Sequence, residues 1–320
     1  MTRVAAGRCL FGWFAALLLI SPAPAPAAEF VFASAGEGAR ILGADDGFFE
    51  AMAPLEMQLR SVRPGRTGRE ALRAQYRAGA LEWNGAERRA WQASLDRLRP
   101  RLAAWSGLLP AQVLLVRVRA GVEDGIPHTR ANAILLPVGA GHLGAARRDT
   151  ILAHELFHIL SRALAAARHD SLYALIGFRP CRFALPAELR ARLITNPDAP
   201  EERHFVDLPA GRGAYIPLQL AQLHGAPPPA LSESLDFLLL RVDVADGVCT
   251  PRRGRGGWAL VAPARLPELF AVVGRNSDYF AHPEELMADN FALLLTGRTR
   301  APDPALLDRL ARWLDAEAAR

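Results

Sequence analysis

Asp149-Thr150-Ile151-Leu152-Ala153-His154-Glu155-Leu156-Phe157-His158-Ile159-Leu160 decides how the rest of the chain is read. Histidines four apart fall on one face of an α-helix, about one turn apart, so both imidazoles reach a single metal ion. A glutamate beside the first histidine leans over the remaining coordination position, where it serves as a general base toward water. The surroundings predict a helix: Asp149 and Thr150 are capping residue types, and Ile151, Leu152, Leu156, Phe157, Ile159, Leu160 and Leu164 supply a broad apolar surface running to about Ala167. Such a helix is buried, and the polar groups of His154, Glu155 and His158 need partners within it. Core or capping histidines are the plain alternative. Burying them unsatisfied is costly, and one metal ion satisfies all three groups.

Two histidines do not complete a catalytic zinc site, so a third ligand is expected further along. Ser161 and Leu164 stand where an extended motif would place a glycine and a third histidine, which leaves a carboxylate. In His282-Pro283-Glu284-Glu285-Leu286-Met287-Ala288-Asp289-Asn290-Phe291, Pro283 starts a helix on which Glu285 and Asp289 share a face. Glu285 is the favoured ligand, and Glu284, Glu188, His282 and Asp289 remain alternatives. Acidic residues in a first helical turn also favour the helix dipole without any metal.

At these residues the chain resembles the gluzincin zinc metallopeptidases, in which H-E-x-x-H is joined by a glutamate on a later helix. Glu285-x-x-Ala288-Asp289-x-Phe291 is similar to the E-x-x-A-[DE]-x-F arrangement of their lethal-factor-like members. The resemblance implies His154, His158 and Glu285 as zinc ligands, Glu155 as general base, and Asp289 as a carboxylate orienting a ligand imidazole from behind. It implies an α+β, zincin-like two-lobed fold, with a small sheet and the active-site helix in the N-lobe and a mainly helical C-lobe. The implied activity is hydrolysis of peptide bonds in peptide or protein substrates. A donor for the tetrahedral oxyanion is then required; Tyr279 is the first candidate, and His128 and Tyr215 are weaker ones. A second reading is a non-catalytic cell-envelope protein that keeps a metal-bound scaffold for partner binding. Retention of Glu155 favours the enzyme, because structural zinc needs no base.

The N-terminus predicts export. Arg3 and Arg8 form a positive region, Leu10 to Ile20 an apolar one, and Ala25-Pro26-Ala27 a cleavage site, so residues 1–27 read as a signal peptide. An uncleaved amphipathic anchor is the alternative. No stretch is long and apolar enough for an ordinary membrane span. The expected location is periplasmic or secreted, with no stable membrane insertion after cleavage. Cys181 and Cys249 then form one disulfide, with a pair of buried free thiols as the plain alternative.

The formal charge of +5 falls to +3 once Arg3 and Arg8 leave with the signal, too little to argue for a nucleic-acid partner. Residues 28–320 read as a single domain. Its N-lobe covers about 60–168, with helical spacing from Gly68 to Leu109 and strands at Gln112 to Arg119 and Ala131 to Pro137. If the resemblance holds, 131–137 is the strand that borders the cleft. A Pro/Gly-rich insertion spans about 180–263, with a strand-like run at Phe237 to Val244, and is expected to cover the cleft. Helices at Pro263 to Val273, Pro283 to Leu295 and Pro304 to Ala319 build the C-terminal lobe over about 264–320.

Overall fold

The computed structural model describes residues 28–61, 68–199, 203–222, 231–297 and 300–320. The expected signal peptide of residues 1–27 and the Pro227-Pro228-Pro229 run lie outside them. The described residues are a mixture of helix and sheet, as the α+β expectation requires at its coarsest.

The first sheet contains β1 (Glu29–Phe32), β2 (Ala80–Leu81), β3 (Gln112–Val118), β4 (His128–Arg130) and β5 (Ala133–Pro137). Its order is β1-β3-β5-β4, with β2 also on β3; β1, β3 and β5 run parallel, and β4 returns antiparallel at the edge. Alternation along the strands explains how the sheet is covered on both faces. Val113, Leu115, Ile134 and Leu136 face a core shared with helices Gly85–Leu102 and Ala145–Arg162. Val116, Val118, Ala133 and Leu135 face the opposite layer, built from Leu42, Phe48, Phe49, Leu72 and Tyr76. All five residues of β5 are therefore buried. That corrects the expectation for 131–137: β5 is interior, and the edge belongs to β4. The lobe also begins earlier than residue 60, because β1 and the helix Ala35–Leu42 belong to it.

The helix carrying His154 and His158 starts one turn earlier than expected. It runs Ala145–Arg162 with Gly144 at its cap. Asp149 and Thr150 consequently lie inside it: Asp149 takes two hydrogen bonds from Arg97 at 2.8 Å, and Thr150 Oγ1 donates to Ala146 O at 2.9 Å. It stops at Arg162, and a separate helix, Ala166–Tyr173, follows. The helix Pro283–Thr296 packs along it, locked by Phe157 against Phe291 with ring centroids 5.6 Å apart. Pro283 occupies the first turn, and Gly297 closes the end in the left-handed region at φ 69°.

The middle third is built as a second sheet, a finding that its proline and glycine content obscures. Phe178–Pro180 (β6), Arg182–Phe183 (β7), His204–Leu208 (β8), Gly213–Ala221 (β9), Leu235–Ala245 (β10) and Val248–Pro251 (β11) pair in the order β6-β8-β9-β10-β11-β7. One face has its own core of Phe205, Ile216, Leu218, Leu220, Leu240 and Val242. Val206, Leu208, Tyr215 and Leu239 join the main core instead. Cys181 and Cys249 are disulfide-bonded, tying the β6–β7 connection to β11 across a sequence separation of 68. In the C-terminal helix Pro304–Ala318, Leu306, Leu310 and Leu314 are buried on one face. No helix among the described residues is long and apolar enough to cross a membrane.

Candidate metal centre

Packing of Pro283–Thr296 against Ala145–Arg162 brings the predicted residues together. One ligand atom each from His154, His158 and Glu285 lies within 4.8 Å of the other two, a spacing that could hold a metal ion. His154 Nε2 is 3.1 Å and His158 Nε2 3.7 Å from Glu285 Oε2. The other ring nitrogens are turned away and held. His154 Nδ1 donates to Asp289 Oδ1 at 3.0 Å, and Asp289 is in turn bonded by Ser277 Oγ at 2.5 Å. His158 Nδ1 donates to Glu284 Oε1 at 2.9 Å, and the second oxygen of Glu284 takes Ser161 Oγ at 2.8 Å and the Tyr173 hydroxyl. In its neutral form each imidazole would carry its proton on Nδ1 and turn its Nε2 toward Glu285 Oε2, where a metal ion could be shared. Glu285 is fixed similarly, its Oε1 accepting from Asn196 Nδ2 at 2.6 Å.

Two buried atoms fit the metal reading in particular. His158 Nε2 and Glu155 Oε2 have no hydrogen-bond partner, although both residues are at most 4 % exposed. Burial without a partner is costly, and a cation with its ligands satisfies both groups. Burial, and after it Asp198, pushes the Glu155 carboxyl up to about 8. Although burial opposes a charged ring, Asp198, Glu285 and the Glu284 hydrogen bond raise His158 to about 9. Those three carboxylates make the pocket strongly attractive to positive charge.

No protein-family model, curated protein or solved structure matches the chain. The site is therefore read from its own geometry. Tyr279 lines the same cavity of about 270 Å³ as His154, Glu155 and Glu285. Burial and then the neighbouring carboxylates, Glu285 first, hold its phenol protonated far above the usual range, so it remains a donor. His128 also lines the cavity, with Nδ1 bonded to Ile126 O at 3.1 Å and a buried, unpartnered Nε2. Tyr215 is not brought there: it packs in the core and gives its hydroxyl to Arg212 O at 3.1 Å. Among the alternative ligands, Glu188 lies on an exposed short helix beside Arg253, and His282 accepts Glu284 N–H as a helix cap.

Residues that the sequence did not single out complete the site. Thr195, Asn196, Pro197 and Asp198 line the cavity that also takes in His154, Glu155 and Glu285, and Asp198 stands with one oxygen within 4.8 Å of both Glu155 and His158. The same carboxylate accepts Thr129 N–H at 2.8 Å and Thr129 Oγ1 at 2.5 Å. Glu284, an alternative ligand by sequence, is instead the carboxylate that holds His158 Nδ1. Asn196 and Asp198 sit in a stretch without periodicity, so nothing local marks them.

Proposed function

We propose that this protein is an exported zinc-dependent peptidase of gluzincin type, with a zincin-like arrangement of active-site helix, edge strand and ligand helix. The observation that carries the reading is the convergence of His154 Nε2, His158 Nε2 and Glu285 Oε2, with both Nδ1 atoms held by carboxylates from the ligand helix. Structural zinc sites usually take four protein ligands and no base; here three ligands stand beside a buried, unpartnered glutamate. When bound, such an ion acts as a Lewis acid, polarising a carbonyl and acidifying water toward a pKa of ~7.

The chain's own residues then divide the work. Glu155 takes a proton from the attacking water as the new C–O bond forms. It returns that proton to the leaving nitrogen as the C–N bond breaks. Tyr279 donates a hydrogen bond to the tetrahedral oxyanion. Asp289 and Glu284 hold the imidazoles in one tautomer, and Asn196 steadies Glu285. The disulfide and the signal-like N-terminus support export.

Metal analysis with Glu155→Gln tests the reading. The variant is expected to retain zinc at wild-type stoichiometry while peptide cleavage falls to background, because an amide cannot accept the proton. His154→Ala together with His158→Ala should lose the metal. Undiminished cleavage in Glu155→Gln would sink the mechanism, and zinc bound without cleavage of any peptide in a broad library would favour the non-catalytic scaffold.

A further inference from the structure

The helix Ala145–Arg162 gives the cavity beside the proposed ligands Arg147, Thr150, Ile151, His154 and Glu155. Counted from Arg147, the others follow at three, four, seven and eight positions, which is one face of a helix, so the cavity follows that helix over about two turns. Seven positions bring His154 back to within about 20° of the direction of Arg147. They also separate the two by about 10 Å along the axis, a distance that an extended peptide covers in about three residues. Thr150 and Ile151, lying between them, carry no charge.

Arg60 and Arg147 are the arginines lining this cavity among the described residues. Arg60 is already occupied, bonded to Glu56, Glu123 and Thr195 O. Arg147 is exposed, and among the described residues its side chain has neither a hydrogen bond nor an ion pair. Its neighbour Arg148 differs, giving its guanidinium to the carbonyls of Gly141 and Leu143. Helix stability does not account for Arg147. It stands in a first turn that holds no acid and has no side-chain cap, where the helix dipole disfavours a cation. A guanidinium stays charged at any working pH, so its attraction for an anion does not depend on protonation.

Building on the peptidase reading, we infer that Arg147 determines specificity: it receives a carboxylate of the substrate about three residues from the bond cleaved, and peptides bearing an acidic group at that distance are preferred. The carboxylate comes either from an Asp or Glu side chain of the peptide or from its carboxy terminus. Both present two oxygens to the paired N–H groups of a guanidinium.

The test uses the zinc-loaded full chain. Mass spectrometry first locates the bond cleaved in a mixed peptide library. The best substrate is then remade with glutamate or isosteric glutamine at each position on either side of that bond, and each peptide is made with a free and with an amidated carboxy terminus. Glutamate should raise kcat/KM about three- to tenfold over glutamine at one position about three residues away, the effect of one charge-assisted pair near solvent. If the chain end is the source, amidation lowers kcat/KM by that factor instead. Arg147→Ala should bring the ratio to about one, and Arg147→Glu should turn it in favour of lysine; loss of a merely structural side chain would slow all the peptides alike and leave the ratio as it was. Equal rates for the glutamate and glutamine peptides and for the free and amidated ends, or a preference that persists in Arg147→Ala, overturns the inference and leaves the peptidase reading standing. Cleavage of no peptide by the zinc-loaded wild type overturns the two together.

Discussion

His158 donates its Nδ1 proton to Glu284 at 2.9 Å, and Glu284 immediately precedes the proposed ligand Glu285. One helical turn thus supplies both a metal ligand and the carboxylate that orients another. Glu284→Gln should weaken zinc binding by about 10- to 100-fold, and Asp289→Asn by a similar factor through His154. Competition with a chromophoric chelator measures both. Unchanged affinity in Glu284→Gln would show that Ser161 and Tyr173, rather than His158, are the partners that matter to it.

Zinc uptake should depend on pH in a definite direction. In the metal-free protein His158 is raised from 6.5 to about 9, so its charged form contributes stability fully present below about 6.5 and lost as pH rises through about 9. Zinc requires the neutral ring, so apparent affinity should climb across that window, and uptake near pH 7 should release protons. Calorimetry in buffers of different ionisation enthalpy measures the release. No proton release at neutral pH, with flat affinity up to pH 9, would contradict the charge state assigned to this pocket.

Cys181 and Cys249 close a loop with a sequence separation of 68, which by chain entropy corresponds to about 4 kcal/mol. Reduction should lower the denaturation midpoint accordingly, and neither thiol should alkylate in unreduced, denatured protein from the exported fraction. Modification of both would refute the bond.

Arg60 holds Glu56 and Glu123 in a buried network that Tyr76 completes. Arg60→Met preserves length but leaves two buried carboxylates without their counter-charge, and should destabilise the fold by roughly 3–5 kcal/mol. A loss below about 1 kcal/mol in urea denaturation would mean that water reaches the network.

The sites that were legible in the sequence are those whose spacing is local. His154 and His158, and Glu285 and Asp289, each sit four apart, so a helix alone sets their shared face. Strand β3 announced itself by β-branched alternation. Of the second sheet only β10 did, as the strand-like Phe237 to Val244; β6 and β7 are short, and β9 carries Pro217, a residue that argues against a strand, opposite Leu239. β4 was missed because three residues show no period. Asp198 reaches Thr129 across 69 positions, and no local pattern encodes such a contact.

The bond from Thr129 to Asp198 also bears on how copies of this protein behave toward one another. An edge strand with an unsatisfied N–H is a template on which another chain can add a strand, and proteins blunt such edges with charge and covering loops. At β4 both devices coincide, since the covering loop supplies the anion that occupies the outward N–H. The carboxylate that stands beside Glu155 and His158 thereby also keeps the sheet from growing sideways into an aggregate.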